Sequence, residues 1–378
     1  MTSEGESLVP ETPPEPPVAV EPGETRFLKW LVFGNEGVRA GWSVALFLVI
    51  FLVTSGILQL ILLLAVAKPL HIDLQAFTPS SALLLEVAQL LPILAAALVC
   101  AMIERRRILD YNLRGEHRLR HFCTGLVGGM AALSVLIAAL RAGGWLHFGA
   151  ASLSGAQIVE YGALWGLAFL LTGFTEEGSV RCYLLFTLTR GVNYWWALGT
   201  VSTLSLFAWL NGHGNGSMGV YAMAALGVLP CLVLELKKSP SASFWQASWL
   251  TSTLFGYIHT FNAGESSIGI FSASWIGFVF CASIRLTGSA WWAIGFHAAW
   301  DWAQTFFYGT ADSGLIPTGH FLSTSPAGPA LWSGASAGPE GSLLVIPVVL
   351  LVLILLVAIY GRRIRTESAS SPAQAQLS

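Results

Sequence analysis

The run Thr172-Gly173-Phe174-Thr175-Glu176-Glu177-Gly178-Ser179-Val180-Arg181 lies between two apolar stretches, Tyr161 to Leu171 and Cys182 to Leu188. It therefore sets two adjacent carboxylates and a guanidinium inside one hydrophobic segment. A charge at the centre of a bilayer costs roughly 2.5–3.5 kcal/mol on insertion scales, and such groups are functional candidates first. If the segment is helical, Glu177 and Arg181 are four residues apart and share a face. Glu176 is turned about 100° away from Glu177. One glutamate can then pair with the arginine while the other is aimed elsewhere. The plainer reading is a structural ion pair that ties two spans together.

Working outward, the whole chain reads as a membrane protein. Only 11% of its 378 residues are charged, against about 25% in a soluble domain, and the mean hydropathy is +0.65. The expected fold class is all-α, a polytopic transmembrane helical bundle. A span needs about 20 mainly apolar residues. Ten candidates meet that, at about 42–67, 81–103, 122–141, 156–188, 192–212, 217–236, 241–261, 266–285, 289–308 and 341–361. Basic residues then orient it. Arg26, Lys29 and Arg39, the arginines from Arg105 to Arg120, Arg190, Lys237, Lys238, Arg285 and Arg362 to Arg365 fall on one side. Only Lys68 and Arg141 fall on the other, so the positive-inside rule puts both termini in the cytoplasm.

The organisation expected is as follows. Residues 1–24 are an acidic, Pro-rich disordered tail, without the pattern of a cleaved signal peptide. Residues 25–155 hold an interfacial segment and three spans, and 156–308 form the core. Residues 309–340, rich in Gly, Ser, Ala and Pro, are an external loop ordered only in part, and 341–378 are the last span and a polar tail. The stretch Tyr194 to Asn211 echoes Phe244 to His259, which suggests a duplicated helical hairpin at about 192–238. Five cysteines, odd in number and without close pairs, read as small buried hydrophobes. A net charge of −2 and the lack of a basic patch give no sign of nucleic acid. The partner that composition implies is the lipid bilayer.

Two more spans carry polar groups. Phe255-Gly256-Tyr257-Ile258-His259 closes span seven, and span nine contains His297-Ala298-Ala299-Trp300-Asp301. His297 and Asp301 share a face. An aspartate there can fix the imidazole tautomer and leave the other nitrogen for chemistry or a metal. Glutamates, an arginine, imidazoles and an aspartate together suit activation of water for attack on a carbonyl. By these span edges, however, Glu176 lies in the cytoplasmic half of its helix and His259 near the external end of another.

The ordered set Glu-Glu-x-x-x-Arg at 176–181, Phe-x-x-x-His at 255–259 and His-x-x-x-Asp at 297–301 resembles the CPBP family of intramembrane endopeptidases, which includes type II CAAX prenyl proteases. The phrase Leu286 to His297 is also typical of it, and the resemblance covers about 156–308. It implies an endopeptidase of the bacterial plasma membrane whose further partner is a peptide or protein substrate, membrane-associated, with a prenylated one as an option. Glu176 would be the main water-activating residue, Glu177 would assist and Arg181 would hold the carboxylates. His259 would share in activating water or binding metal, and His297 with Asp301 would form an oxyanion-stabilising or second metal-binding face. The cofactor stays open between a divalent metal such as zinc, on Glu176, His259 and His297, and none. Two features depart from the family pattern: Val180 and Cys182 flank Arg181, and Phe-x-x-x-His comes one hairpin late, with His213 as the alternative. Two rival readings stand beside the peptidase. One is a catalytically inactive scaffold of the same fold. The other is a proton-coupled transporter whose relay uses Glu86, Glu160, Glu176, Glu177 and the histidines.

Overall fold

The structure is a computed structural model that describes residues 23–34, 37–210, 218–239, 241–262 and 264–370. It is mostly helical. A short amphipathic helix, α1 (Gly23–Val32), leads through a ribbon of β1 (Phe33–Gly34) and β2 (Gly37–Val38) into α2 (Ala40–Leu62). Then come α3 (Pro79–Ile103), α4 (Arg118–Ala142), strand β3 (Leu146–Ala151) and α5 (Ala156–Glu177). A π-helical segment, Gly178–Leu184, joins α5 to α6 (Leu185–Thr189). The chain continues through α7 (Tyr194–Leu210), α8 (Met218–Lys237), α9 (Ala242–His259), α10 (Ser267–Thr287) and α11 (Trp291–Trp302). Strand β4 (Leu322–Pro326), the short α12 (Ala330–Ser333) and α13 (Val345–Ser370) complete it.

Each of the ten apolar stretches is helical over most of its described residues. Among the described residues five helical segments, Ala40–Ala67, Pro79–Ile103, Arg118–Ala142, Ala156–Thr189 and Ser267–Thr287, are long and apolar enough to cross a membrane. The chain is an integral membrane protein, and large apolar side chains such as Leu48, Leu52 and Ile57 on α2 and Ile354 and Leu355 on α13 face outward. With lipid outside, burial of apolar surface cannot drive helices together, so close backbone packing must. Gly125 and Gly129 on α4 and Gly295 on α11 supply it. A Cβ on Gly129 would lie 2.1 Å from the Phe296 carbonyl oxygen, and one on Gly295 would lie 2.3 Å from that of Phe122. Gly173 likewise lets α5 rest on the Ile294 carbonyl of α11.

Among the described residues two large apolar clusters stand out. One gathers Phe47, Ala96, Tyr183, Leu185, Cys281 and Ile294, and the other Leu133, Leu136, Phe280, Phe296 and Val349. At one end of the bundle Glu104 binds Arg190 at 3.0 Å and Arg106 at 3.2 Å, tying the end of α3 to the end of α6. The π segment interrupts the regular backbone ladder. There the Arg181 carbonyl accepts a hydrogen bond from Asn112 Nδ2 at 2.8 Å, and the Asn112 carbonyl accepts from the Ala290 amide at 2.8 Å.

The structure departs from the sequence expectations at several points. The all-α reading omits two ribbons. One is β1–β2. In the other, β3 pairs antiparallel with β4, Leu146 opposite Pro326 and Phe148 opposite Thr324. Residues 309–340 are not half-ordered: they fold into β4, α12 and 3₁₀ turns and pack on the bundle. Gly314 makes one of those contacts possible, with φ +89° and a would-be Cβ only 2.4 Å from the Gly264 Cα. Gly23 and Glu24 belong to α1, while the rest of the expected tail lies outside the described residues. Four cysteines are buried, but Cys123 is exposed.

Candidate active site

Helix α5 places Glu176 and Glu177 at its end, just where the π segment begins. From Ala156 to Thr189 the continuous helical segment has 34 residues, about 51 Å at 1.5 Å per residue. The hydrocarbon core is about 30 Å thick. The glutamates sit about 30 Å along this overlong rod, and Glu176 and His259 nevertheless line one cavity, so the difference in depth implied by the span edges does not keep them apart.

Glu177 and Arg181 are both fully buried, with Arg181 Nε 3.3 Å from Glu177 Oε2. The other oxygen, Glu177 Oε1, is 2.9 Å from His297 Nδ1. A carboxylate only accepts, so the imidazole Nδ1–H donates. His297 Nε2 faces Asp301 Oδ2 at 3.4 Å and Glu176 Oε2 at 3.7 Å. The imidazole thus has a carboxylate on each side, and the reading that Asp301 would leave its second nitrogen free is corrected: Glu177 occupies it. Glu176, unlike its neighbour, is partly exposed, and its Oε2 has no hydrogen-bond partner.

A cavity of about 470 Å³ opens on these groups. Glu176, His297 and Asp301 line it together with His259 of α9 and Glu86 of α3. His259 Nδ1 lies 2.8 Å from the Phe255 carbonyl oxygen. A carbonyl only accepts, so Nδ1 carries the proton and Nε2 is left for the cavity. The Phe255 ring stands against both imidazoles, 4.7 Å from His259 and 6.2 Å from His297, and 4.0 Å from the Arg181 guanidinium carbon. All six candidate residues are thus gathered about one place. His213 lies outside the described residues.

The proposed metal set fits less well. Among the described residues no group of three His, Cys, Asp or Glu side chains is placed to hold a metal ion. Both nitrogens of His297 face carboxylates, and the Phe255 ring borders both imidazoles. Glu176, His259 and His297 share the cavity without forming a cage, and no step below is routed through a metal. The transporter relay is not assembled either, since Glu160 is exposed and does not line the cavity.

Several lining groups carried no motif in the sequence. Helix α10 contributes Phe280, whose ring lies 5.7 Å from His297 and 5.5 Å from the Arg181 guanidinium carbon. The segment after α11 contributes Asp312 and Glu340, and the α9–α10 loop contributes Glu265. Glu340 accepts from Trp300 Nε1 at 2.8 Å and from Ser313 Oγ at 3.3 Å, which ties the segment to α11. Burial and the neighbouring Glu340 raise the Glu265 carboxyl to about 7 and the Asp312 carboxyl to about 8.

Residues 231–303 match a family model, that of the type II CAAX prenyl endopeptidase Rce1-like proteins. The match supports the CPBP/CAAX protease family. It covers less than half of the chain, including His259, His297 and Asp301 but not Glu176, Glu177 or Arg181. The family so described is one of endopeptidases. No curated protein and no solved structure matches the chain.

Proposed function

We propose that the chain is an intramembrane endopeptidase that hydrolyses a peptide bond of a membrane-associated substrate, with prenylated proteins as one candidate class. The observation that carries this is the single buried relay from Arg181 through Glu177 to His297, with Glu176 beside it on the cavity wall. Glu176 lines that space and its side chain is partly exposed to it. It takes the proton of a water, which attacks the scissile carbonyl. His259 Nε2 helps to hold that water. Glu177 orients the His297 ring through Nδ1, and Arg181 holds Glu177 in turn. His297 Nε2, beside Asp301, donates toward the oxyanion as it forms. The leaving amine then recovers the proton from Glu176.

The ten helical stretches and the one-sided basic residues support a reading with ten crossings and both termini in the cytoplasm; the plasma membrane of a bacterium is proposed on the family resemblance alone. Helices α7 and α8 supply none of the candidate residues, which suits an inserted hairpin at about 192–238. The decisive experiment replaces Glu176 by Gln and follows cleavage of a quenched, farnesylated peptide in lipid nanodiscs. Loss of at least about a hundredfold is expected for a general base. Undiminished turnover by a folded Glu176→Gln variant removes the proposal.

A further inference from the structure

The guanidinium of Arg181 is fully buried, and Nη1 and Nη2 have no hydrogen-bond partner among the described residues. Beyond the one contact to Glu177, what holds it is aromatic. Its central carbon lies 4.0 Å from the Phe255 ring and 5.5 Å from the Phe280 ring, close enough for cation–π attraction. Such a clamp fixes the plane of the group but leaves it free to slide. Where it rests depends on the space left at Gly277 on α10. A Cβ there would lie 2.4 Å from Arg181 Nη2, inside any permitted contact. The other neighbours of that Cβ would be ordinary ones, Ser252 Cα at 3.4 Å and Phe255 Cδ1 at 3.5 Å. Helices α9 and α10 would tolerate a methyl group at this point. Only the guanidinium would not.

We infer that Gly277 is a positioning residue: its missing side chain is the space that Arg181 occupies, and it sets where Glu177, and through it His297, can stand. This rests on the active-site reading above. Phe280 follows Gly277 by three residues and shares its face, so one turn of α10 supplies both the slot and one wall. A methyl at 277 forces the Nη2 atom back by about 1 Å to reach ordinary contact. The end of an arginine can make that move without unfolding the protein, so function should suffer more than fold. A misplacement of about 1 Å can cost about a hundredfold in rate.

The test compares wild type, Gly277→Ala, Arg181→Lys and the double variant in nanodiscs, using the same farnesylated peptide and thermal unfolding. An ammonium has no atom at the Nη2 position. We expect Gly277→Ala alone to lower kcat by about 10- to 100-fold with KM within about threefold, and to lower the unfolding midpoint by a few degrees. Added to Arg181→Lys, it should change kcat by less than about twofold and leave the midpoint where it was. Equal effects in both backgrounds, or full activity in Gly277→Ala, overturn the inference. Should wild type leave the peptide uncut, or Glu176→Gln cut it undiminished, the peptidase reading fails separately and the thermal comparison alone decides the role of Gly277.

Discussion

Removing one partner of the Glu177–Arg181 pair should destabilise the protein far more than removing both. Both side chains are fully buried, and the pair is joined by a single contact of 3.3 Å. Two guanidinium nitrogens stay unpartnered, so the pair as a whole gives little net stability over an apolar filling. Breaking it is another matter. Arg181→Met leaves the buried Glu177 side chain with only His297 for company, and Glu177→Gln strands the guanidinium between two rings. Each single change should cost about 3–5 kcal/mol, the usual penalty for an orphaned buried charge. The double variant Glu177→Gln/Arg181→Met should recover most of this loss, to within about 1 kcal/mol of wild type, because no unpaired charge remains. Its turnover should nevertheless stay low, since neither the arginine nor a full carboxylate is left to orient His297. The assay is unfolding in detergent monitored by tryptophan fluorescence, run beside peptide cleavage. Single variants that lose less than about 1 kcal/mol, or a double variant that loses the sum of the singles, would refute the reasoning.

Other expectations follow from the same geometry. His259→Ala should lower kcat by about 10- to 100-fold with the unfolding midpoint nearly unchanged, because the ring faces the cavity; an equal loss of stability would assign it to packing instead. Gly129→Ala should cost about 1–3 kcal/mol, because the new methyl meets the Phe296 backbone oxygen at 2.1 Å and α4 must part from α11; thermal unfolding checks it. Glu265 and Asp312 protonate more readily when folded, near 7 and 8, than as free carboxyls. The stability they contribute is complete below the ordinary carboxylate range and is lost as pH rises through about 7 to 8. Glu265→Gln and Asp312→Asn should flatten that profile in a melting series from pH 4 to pH 9.

Much of the architecture could be read from the sequence, and the reasons are particular. Apolar runs of helical length announce themselves, and charges within them stand out. Glu177 and Arg181 could be paired from a spacing of four, and the contrast between Glu176 and Glu177 followed from their angle on the helix. The contribution of α10 was hidden, because a glycine and a phenylalanine in an apolar span carry no polar signal. Strands β3 and β4 were hidden too. They lie far apart in the chain, and Leu146–Ala151 shows little alternation. The segment 309–340 looked loose because glycine and proline suggest it, yet Gly314 and Gly338 take positive φ at defined turns. The nitrogen of His297 expected to be free was taken by a residue 120 positions away, which spacing within one helix could not reveal.

Asn112 lies outside the long helices, in the connection between α3 and α4, yet its side chain grips the Arg181 backbone while its own carbonyl holds the first turn of α11. The two rods that bear the carboxylates and the second imidazole are therefore latched to one another by a single amide. Moving that connection would therefore carry both helices with it and change the width of the cavity between them.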